Sequence, residues 1–202
     1  DDNVGDALVD LRRALDEAPR DPEIATLMAR AHQRAGDRSL MGEMLSAAVG
    51  FSGSAPGEAM RYAAYLLEED DLLGAEDVLQ DALRLRSDHL GLLRMLGDVY
   101  VRMADWPRLE GVIAALEGLD RAEARAIANG LTARQLAAQE RSGELDSFLE
   151  GLAEGGAAGE NAELAIIRRR VAEGDLEGAR AYLEEALAKR PESAALRFVA
   201  AG

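Results

Sequence analysis

The chain contains no cysteine, and aromatic residues account for only 4% of its 202 positions. Without cysteine it has no disulfides, thiolate metal ligands or thiol nucleophiles. The absence of cysteine does not indicate whether the protein works in an oxidising or a reducing compartment. No apolar run reaches membrane-spanning length, and no signal peptide is visible. We therefore expect no direct membrane insertion, and the localisation, cytoplasmic or periplasmic, is not determined.

Positive charge is scarce, because 38 acidic residues against 23 basic ones give a formal net charge of −15 at pH 7. Binding to a phosphate backbone needs clustered positive charge, so we expect no nucleic acid partner. Lys189 is the only lysine. Cations that are almost all arginine indicate a bacterial chain from a GC-rich genome.

Residues that could carry chemistry do not form a recognisable motif. His32 and His89 lack the second histidine that a zinc-binding helix places four positions away. The acidic run at 68–71 lacks the alternating ligands and central glycine of a calcium loop. Ser52 and Ser54 do not form the Gly-x-Ser-x-Gly pattern of a nucleophile elbow, and the sequence indicates no triad partners for them. We predict no catalytic, cofactor or metal site, and hence no enzyme.

What the sequence does contain is a helical pattern that repeats. Leu93, Leu96 and Tyr100 fall on one helical face, with Gly97 where a second helix can approach closely. Asp105 can then cap a following helix. Similar turns recur with spacings of 34, 34, 39 and 31 residues between their second members, at Gly36-Asp37, Asp70-Asp71, Ala104-Asp105, Gly143-Glu144 and Gly174-Asp175. A period near 34 indicates stacked helix pairs.

These residues resemble the tetratricopeptide repeat (TPR) family. Leu96, Gly97 and Tyr100 match the Leu-Gly and following Tyr of the family's first helix. The family's second helix has a small, a bulky and a second small residue at fixed positions, with a proline near its end. The three positions are matched by Ala75, Leu79 and Ala82. The three positions and the proline are matched by Ala179, Leu183, Ala186 and Pro191, and by Ala7, Leu11, Ala14 and Pro19. The resemblance implies an all-α, right-handed α-solenoid of helix-turn-helix repeats.

We predict a single solenoid over residues 1–202. Its parts would be a partial repeat at 4–19, repeats at 22–55, 56–89, 90–123, 124–159 and 160–193, and a partial helix at 194–202. One helix, predicted from Asp120 to Arg141, exceeds the family's usual length. The glycine-rich segment at 155–159 is the predicted hinge.

The resemblance also implies a function, because TPR proteins usually bind an extended peptide or a helix in a concave groove lined by their first helices. The predicted groove residues here are Arg30, Arg34, Met60, Leu67, Arg94, Asp98, Val101, Arg102 and Arg168. Thr26, Ala137 and Glu140 are further outward positions. Arginine is prominent, so an acidic peptide with apolar residues would suit this surface. Alternatively, these arginines only form salt bridges along their helices.

The favoured interpretation is a non-catalytic protein-interaction scaffold. One alternative is the recognition arm of a larger bacterial enzyme or envelope assembly machine, since the partial repeat at 4–19 starts the chain in the middle of a repeat. A second alternative is a self-assembling module, because the last residues, around Phe198, are apolar and could pack against another copy. Trp106 is interpreted as a structural wedge, with an exposed interface anchor as the alternative.

Overall fold

The computed structural model describes residues 4–201, without the side chains of 142 and 156–158, and within this range the chain forms twelve α-helices and no strand. The prediction of an all-α chain is confirmed. The helices are α1 Val4–Glu17, α2 Pro22–Ala35, α3 Arg38–Ser52, α4 Pro56–Glu68, α5 Leu72–Leu85, α6 Leu90–Met103, α7 Trp106–Glu117, α8 Ala122–Ala138, α9 Ser142–Glu154, α10 Gly156–Ala172, α11 Leu176–Lys189 and α12 Ala194–Ala201.

The turns inside four helix pairs share one construction. The first turn residue has a positive φ, which ends a helix, and the aspartate after it caps the next helix with its side chain. Asp37, for example, accepts a hydrogen bond from the Leu40 amide at 3.1 Å. The four turns and their φ values are Gly36 (77°) with Asp37, Asp70 (62°) with Asp71, Ala104 (53°) with Asp105, and Gly174 (83°) with Asp175. These four predicted turns are confirmed.

The remaining predicted turn is wrong. The structure places it at Glu140, whose φ is 56°, and at Arg141, which precedes α9 without a side-chain cap. The spacings then become 34, 34, 36 and 34 residues, closer to the family period than the sequence suggested. The sequence pattern does not show this turn, because the Arg141 side chain has no acceptor and cannot cap a helix as an aspartate does. The positive φ of Glu140 reverses the chain, so α8 ends at Ala138 rather than continuing to Arg141.

The contacts divide the chain into two compact units, which we call unit 1 (Asp1–Leu131) and unit 2 (Thr132–Gly202). Within unit 1, consecutive helices from α1 to α7 pack on one another, and α4 also contacts α6. Within unit 2, α10 packs on both α9 and α11, and α12 packs on α11. The repeat boundaries, the single solenoid and the hinge at 155–159 stay predictions, although the backbone is already helical from Gly156.

Unit 1 has one continuous core, which runs from α4 to the first half of α8. Leu79, Leu92, Leu109 and Leu116 are fully buried in it, and each such leucine contributes about 1.5–3 kcal/mol relative to an exposed one. Gly97 allows the predicted close approach, since a Cβ there would lie only 2.5 Å from Leu131 Cδ1. In contrast, α1 has no buried residue, so its motif positions Ala7, Leu11 and Ala14 do not form core.

Unit 2 has two smaller cores. One contains Leu136, Leu145, Leu149 and Ile166, and the other is built around Ile167, Ala186 and Leu196. Among the described residues, each core of unit 2 contains fewer buried side chains than the core of unit 1. We therefore expect unit 1 to be the more stable scaffold for a binding surface.

Candidate functional site

The predicted groove residues lie on the first helices of the pairs. All five arginines of the predicted set are exposed, namely Arg30 and Arg34 on α2, Arg94 and Arg102 on α6, and Arg168 on α10. The other four predicted residues are half-buried, namely Met60 and Leu67 on α4 and Asp98 and Val101 on α6. The predicted surface in unit 1 therefore combines arginine heads with partly accessible apolar side chains.

Two contacts join α4 to α6 within this surface. Met60 lies against the start of α6, where a Cβ on Gly91 would come 2.9 Å from the Met60 methyl carbon. At the other end, Arg102 donates to the carbonyl oxygen of Leu67 at 3.0 Å and to Asp70 Oδ1 at 2.8 Å. The guanidinium of Arg102 is thus already engaged in holding α6 against the turn after α4.

Four other arginines of the predicted set are different. Within the described part of the chain, Arg30, Arg34, Arg94 and Arg168 form no salt bridge. An exposed guanidinium without a carboxylate partner keeps its donors available to a ligand. The alternative that the arginines only form salt bridges along their helices therefore fits none of these five, since Arg102 bridges to the turn after α4 rather than along α6. Asp98 does interact within the chain.

One outward position was wrongly predicted. Thr26 occupies the same place before its turn as Met60 and Arg94, yet it is only 7% exposed. Its hydroxyl oxygen is buried without a hydrogen-bond partner. The surface at α2 is therefore formed by Arg30 and Arg34 without Thr26.

The buried carboxylate of Glu76 accepts hydrogen bonds from three neighbouring side chains. Glu76 on α5 accepts from Gln80 Nε2 at 2.8 Å, from the Tyr100 hydroxyl at 3.1 Å and from Arg108 Nη1. Arg108 also stacks over the Tyr100 ring at 4.9 Å. Burial raises the pKa of Tyr100, so its hydroxyl stays protonated and donates to Glu76. This network joins α5, α6 and α7 and has a structural role.

Other single residues are also explained by packing or capping. His32 is buried, as a packing role predicts. His89 Nδ1 accepts a hydrogen bond from the Leu92 amide at 3.3 Å and caps α6. Trp106 packs against the core of unit 1, which confirms its structural interpretation. Phe198 on α12 is 82% exposed, and self-assembly through this end stays a prediction.

The described residues contain neither a membrane-spanning helix nor a metal-binding cluster. No helix among them is both long and apolar enough to cross a bilayer. No group of three or more histidine or acidic side chains among residues 4–201 is arranged to hold a metal ion.

A surface cavity in unit 2 was not predicted as a pocket, although two of its lining residues, Ala137 and Glu140, were among the predicted outward positions. It has a volume of about 570 Å³ and is lined by Leu136, Ala137, Glu140, Leu145, Arg169 and Glu173. Such a volume lies within the range of about 300–1,000 Å³ that is typical of ligand pockets. Sequence patterns could not reveal it, because α8, the start of α9 and the end of α10 contribute to it together.

No protein-family model and no curated protein sequence matches the chain. Among solved structures, it resembles PilF of Pseudomonas aeruginosa, with a TM-score of 0.59 and 20% identity over 98% of this chain and 90% of that chain. PilW, described as a widely conserved type IV pilus biogenesis factor, gives 0.60 and 16% over 98% and 90%. YrrB, described as a TPR protein with an unusual peptide-binding site, gives 0.54 and 19% over 94% and 96%.

The recurring turns, the helix pairs and these structural neighbours define the class. The described chain is all-α, and it shares the fold of tetratricopeptide-repeat proteins, as the sequence resemblance implied.

Proposed function

We propose that the chain is a non-catalytic scaffold that binds an acidic peptide or helix on the first helices of unit 1. The observation that carries this proposal is the presence of exposed, unpaired arginines on α2 and α6 of the described chain, in a protein whose net charge is −15. Arg30, Arg34 and Arg94 supply the charge, and Met60 and Leu67 supply the apolar contact.

The chemistry of these side chains sets the kind of ligand. Each guanidinium can donate two parallel hydrogen bonds to one carboxylate, and the partly exposed Met60 and Leu67 can cover an apolar side chain. A peptide that alternates acidic and apolar residues matches both features. YrrB, whose structure shares this fold, is described as having a peptide-binding site. This description supports peptide recognition as the type of function.

The test uses two labelled peptides of equal length, one built from glutamate and leucine and the other from lysine and leucine. The triple variant Arg30→Ala, Arg34→Ala and Arg94→Ala should bind the glutamate peptide about tenfold more weakly, if each exposed ion pair contributes about 0.5 kcal/mol. Fluorescence anisotropy measures both affinities. Arg102 is left intact, because its replacement would also loosen α6 from the turn after α4.

A matched control removes three exposed arginines from other helices of unit 1, through Arg12→Ala, Arg13→Ala and Arg84→Ala. This control changes the net charge equally and should leave the affinity nearly unchanged. The proposal is wrong if the control abolishes binding while the first triple variant retains it. Tighter binding of the lysine peptide than of the glutamate peptide would also contradict it.

The alternatives named from the sequence, the arm of a larger machine and the self-assembling module, stay predictions. Both are compatible with a peptide-binding surface on unit 1, since neither requires chemistry within residues 4–201. The acidic-peptide experiment therefore tests the surface itself rather than the larger assembly.

A further inference from the structure

Two residues that line the cavity of unit 2 correspond to the two residues that bind an arginine side chain in unit 1. In unit 1, the turn after α4 presents the carbonyl oxygen of Leu67 and the carboxylate of Asp70, three residues apart, and Arg102 of the following first helix binds both. Asp70 is the turn residue with positive φ. Arg102 itself lies two residues before the positive-φ residue of its own pair, Ala104. These offsets define the corresponding positions in any other pair.

Counting the same offsets from the positive-φ residues of unit 2 gives the equivalent positions there, and none of these positions carries an arginine. The positive-φ residue Glu140 corresponds to Asp70, and Ala137, three residues earlier, corresponds to Leu67. The position equivalent to Arg102 lies two residues before Gly174 and is Ala172, which is exposed on α10. Unit 2 therefore presents the carbonyl and the carboxylate that bind a guanidinium in unit 1, but its own chain provides a methyl group there.

Two of these equivalent positions line the cavity. Ala137 and Glu140 contribute from the α8 side, and Arg169 and Glu173 contribute from the end of α10. Ala172 lies three residues after Arg169, and residues three apart are neighbours on a helix surface. An alanine at this position supplies no guanidinium to the Ala137 carbonyl and the Glu140 carboxylate.

The acceptors in the cavity have capacity for a ligand. The Ala137 carbonyl accepts one hydrogen bond, from the Glu140 amide at 3.1 Å, as the Leu67 carbonyl accepts one from the Asp70 amide at 3.4 Å. A carbonyl oxygen has two lone pairs, so each can take a further donor. In unit 1 the second donor is Arg102.

Charge and apolar surface favour the same ligand. Glu140 and Glu173 are negative, and Arg169, the cation among the lining residues, is held by Asp146 at 2.9 Å and by Glu173 at 2.8 Å. The floor is formed by Leu136 and Leu145, which can pack against a methylene stem. A long side chain that ends in a cation satisfies both parts of the cavity.

We propose that this cavity is a binding site for an arginine side chain of a partner polypeptide. The guanidinium donates to the Ala137 carbonyl and to the Glu140 carboxylate, as Arg102 does to Leu67 and Asp70, and the stem lies on Leu136 and Leu145. The site differs in position and in charge preference from the acidic-peptide surface of unit 1. It does not depend on that surface, and its test can fail while the other succeeds.

The test follows backbone amide resonances of the isotope-labelled protein during titration with N-acetyl-glycyl-arginyl-glycinamide. Saturable shifts should appear at residues 136–145 and 169–173. Two control tripeptides carry glutamine or lysine in place of the arginine. The glutamine tripeptide should give no saturable shift. The lysine tripeptide should bind more weakly than the arginine tripeptide, because an ammonium lacks the planar fork that spans both acceptors. Shifts that are absent from these residues, or equal affinities for the three tripeptides, would overturn the proposal.

Two variants make the test specific. Ala172→Arg supplies the missing side chain from within and should abolish the shifts, whereas the matched control Ala172→Gln should retain them. Glu140→Gln should lower the affinity about tenfold, because a charge-assisted hydrogen bond becomes a neutral one. The circular dichroism spectrum of each variant reports its folding. If the Ala172→Arg protein does not fold, Glu140→Gln decides, and an unchanged affinity in that variant contradicts the site.

Discussion

At the scale of single residues, the most informative feature is which arginines are already engaged. Arg38, Arg102, Arg108 and Arg121 each reach a residue about one repeat away, and they hold neighbouring helix pairs together. Arg30, Arg34 and Arg94 have the same chemistry but no such partner in the described chain. Whether an arginine joins two helix pairs or stays available to a ligand thus depends on whether a carboxylate lies near it from about one repeat away. The residue type alone does not reveal this.

Asp105 provides a residue-scale prediction about pH. Hydrogen bonds from the Arg108 side chain and then its backbone amide lower the pKa of this carboxyl from its usual 3.8. The folded state therefore favours the ionised form, and the stabilisation is present above the unfolded-state pKa and lost as pH falls through the folded-state pKa. Asp105→Asn keeps a capping oxygen but removes the charge. It should lower the urea midpoint near neutral pH.

The difference between the wild type and Asp105→Asn should then shrink as the pH falls below about 4, where the wild-type carboxylate becomes protonated. Urea titrations at several pH values measure this difference. A control is Asp77→Asn, an exposed substitution on α5. A difference for Asp105→Asn that stays constant at all pH values would show that charge does not contribute.

At the scale of helices and turns, the turn before α9 shows why one spacing was mispredicted. The other four helix pairs place an aspartate before the second helix, and this one has Arg141. The Arg141 side chain instead donates to Glu144, with its Nε lying 2.7 Å from Oε1. The Gly143-Glu144 pair resembled the usual turn in sequence. It lies in the first turn of α9, because the chain reverses at the positive φ of Glu140.

This observation leads to a prediction for α9. Arg141→Asp should stabilise the protein by about 0.5–1 kcal/mol, since an aspartate there can cap α9 and form a capping box with Glu144. It also removes a positive charge from a helix N-terminus. The free energy of unfolding from urea titration is the measurement. Arg141→Ala is the control, which loses the bond to Glu144 without gaining a cap and should be slightly destabilised.

At the scale of the whole molecule, the two units differ in how much apolar surface they bury. The core of unit 1 is continuous from α4 to α8, whereas unit 2 has two small cores, and one of these adjoins the proposed arginine site. In repeat proteins each helix pair is stabilised mainly by its neighbours, so stability can vary along the chain.

We accordingly predict that hydrogen exchange is uneven along the chain. Amides of α5 and α6, which surround Leu79 and Leu92, should exchange most slowly, and those of α11 and α12 should exchange much faster. Amides of α1 should also exchange quickly, because this helix has no buried residue. Mass spectrometry of exchanged peptides measures these rates. Equal protection of α6 and α11 would indicate a single cooperative unit instead.

The sequence by itself determined the helical class, the period near 34 and four of the five turns within helix pairs. These features depend on residues within a few positions of one another, such as a capping Asp105 or a buried Tyr100, and local patterns report them directly. The predicted surface residues on α2, α4 and α6 also followed from helical spacing, with Thr26 as the exception.

Only the tertiary structure decided which arginines are engaged, where the turn before α9 lies and where a cavity remains. The reason is physical, because a salt bridge such as Arg102 to Asp70 joins residues 32 positions apart, and its formation depends on how helix pairs stack. The cavity of unit 2 likewise depends on contacts between α8, α9 and α10, whose lining residues lie up to 37 positions apart. Sequence patterns describe each helix, whereas these features arise where one helix meets the next.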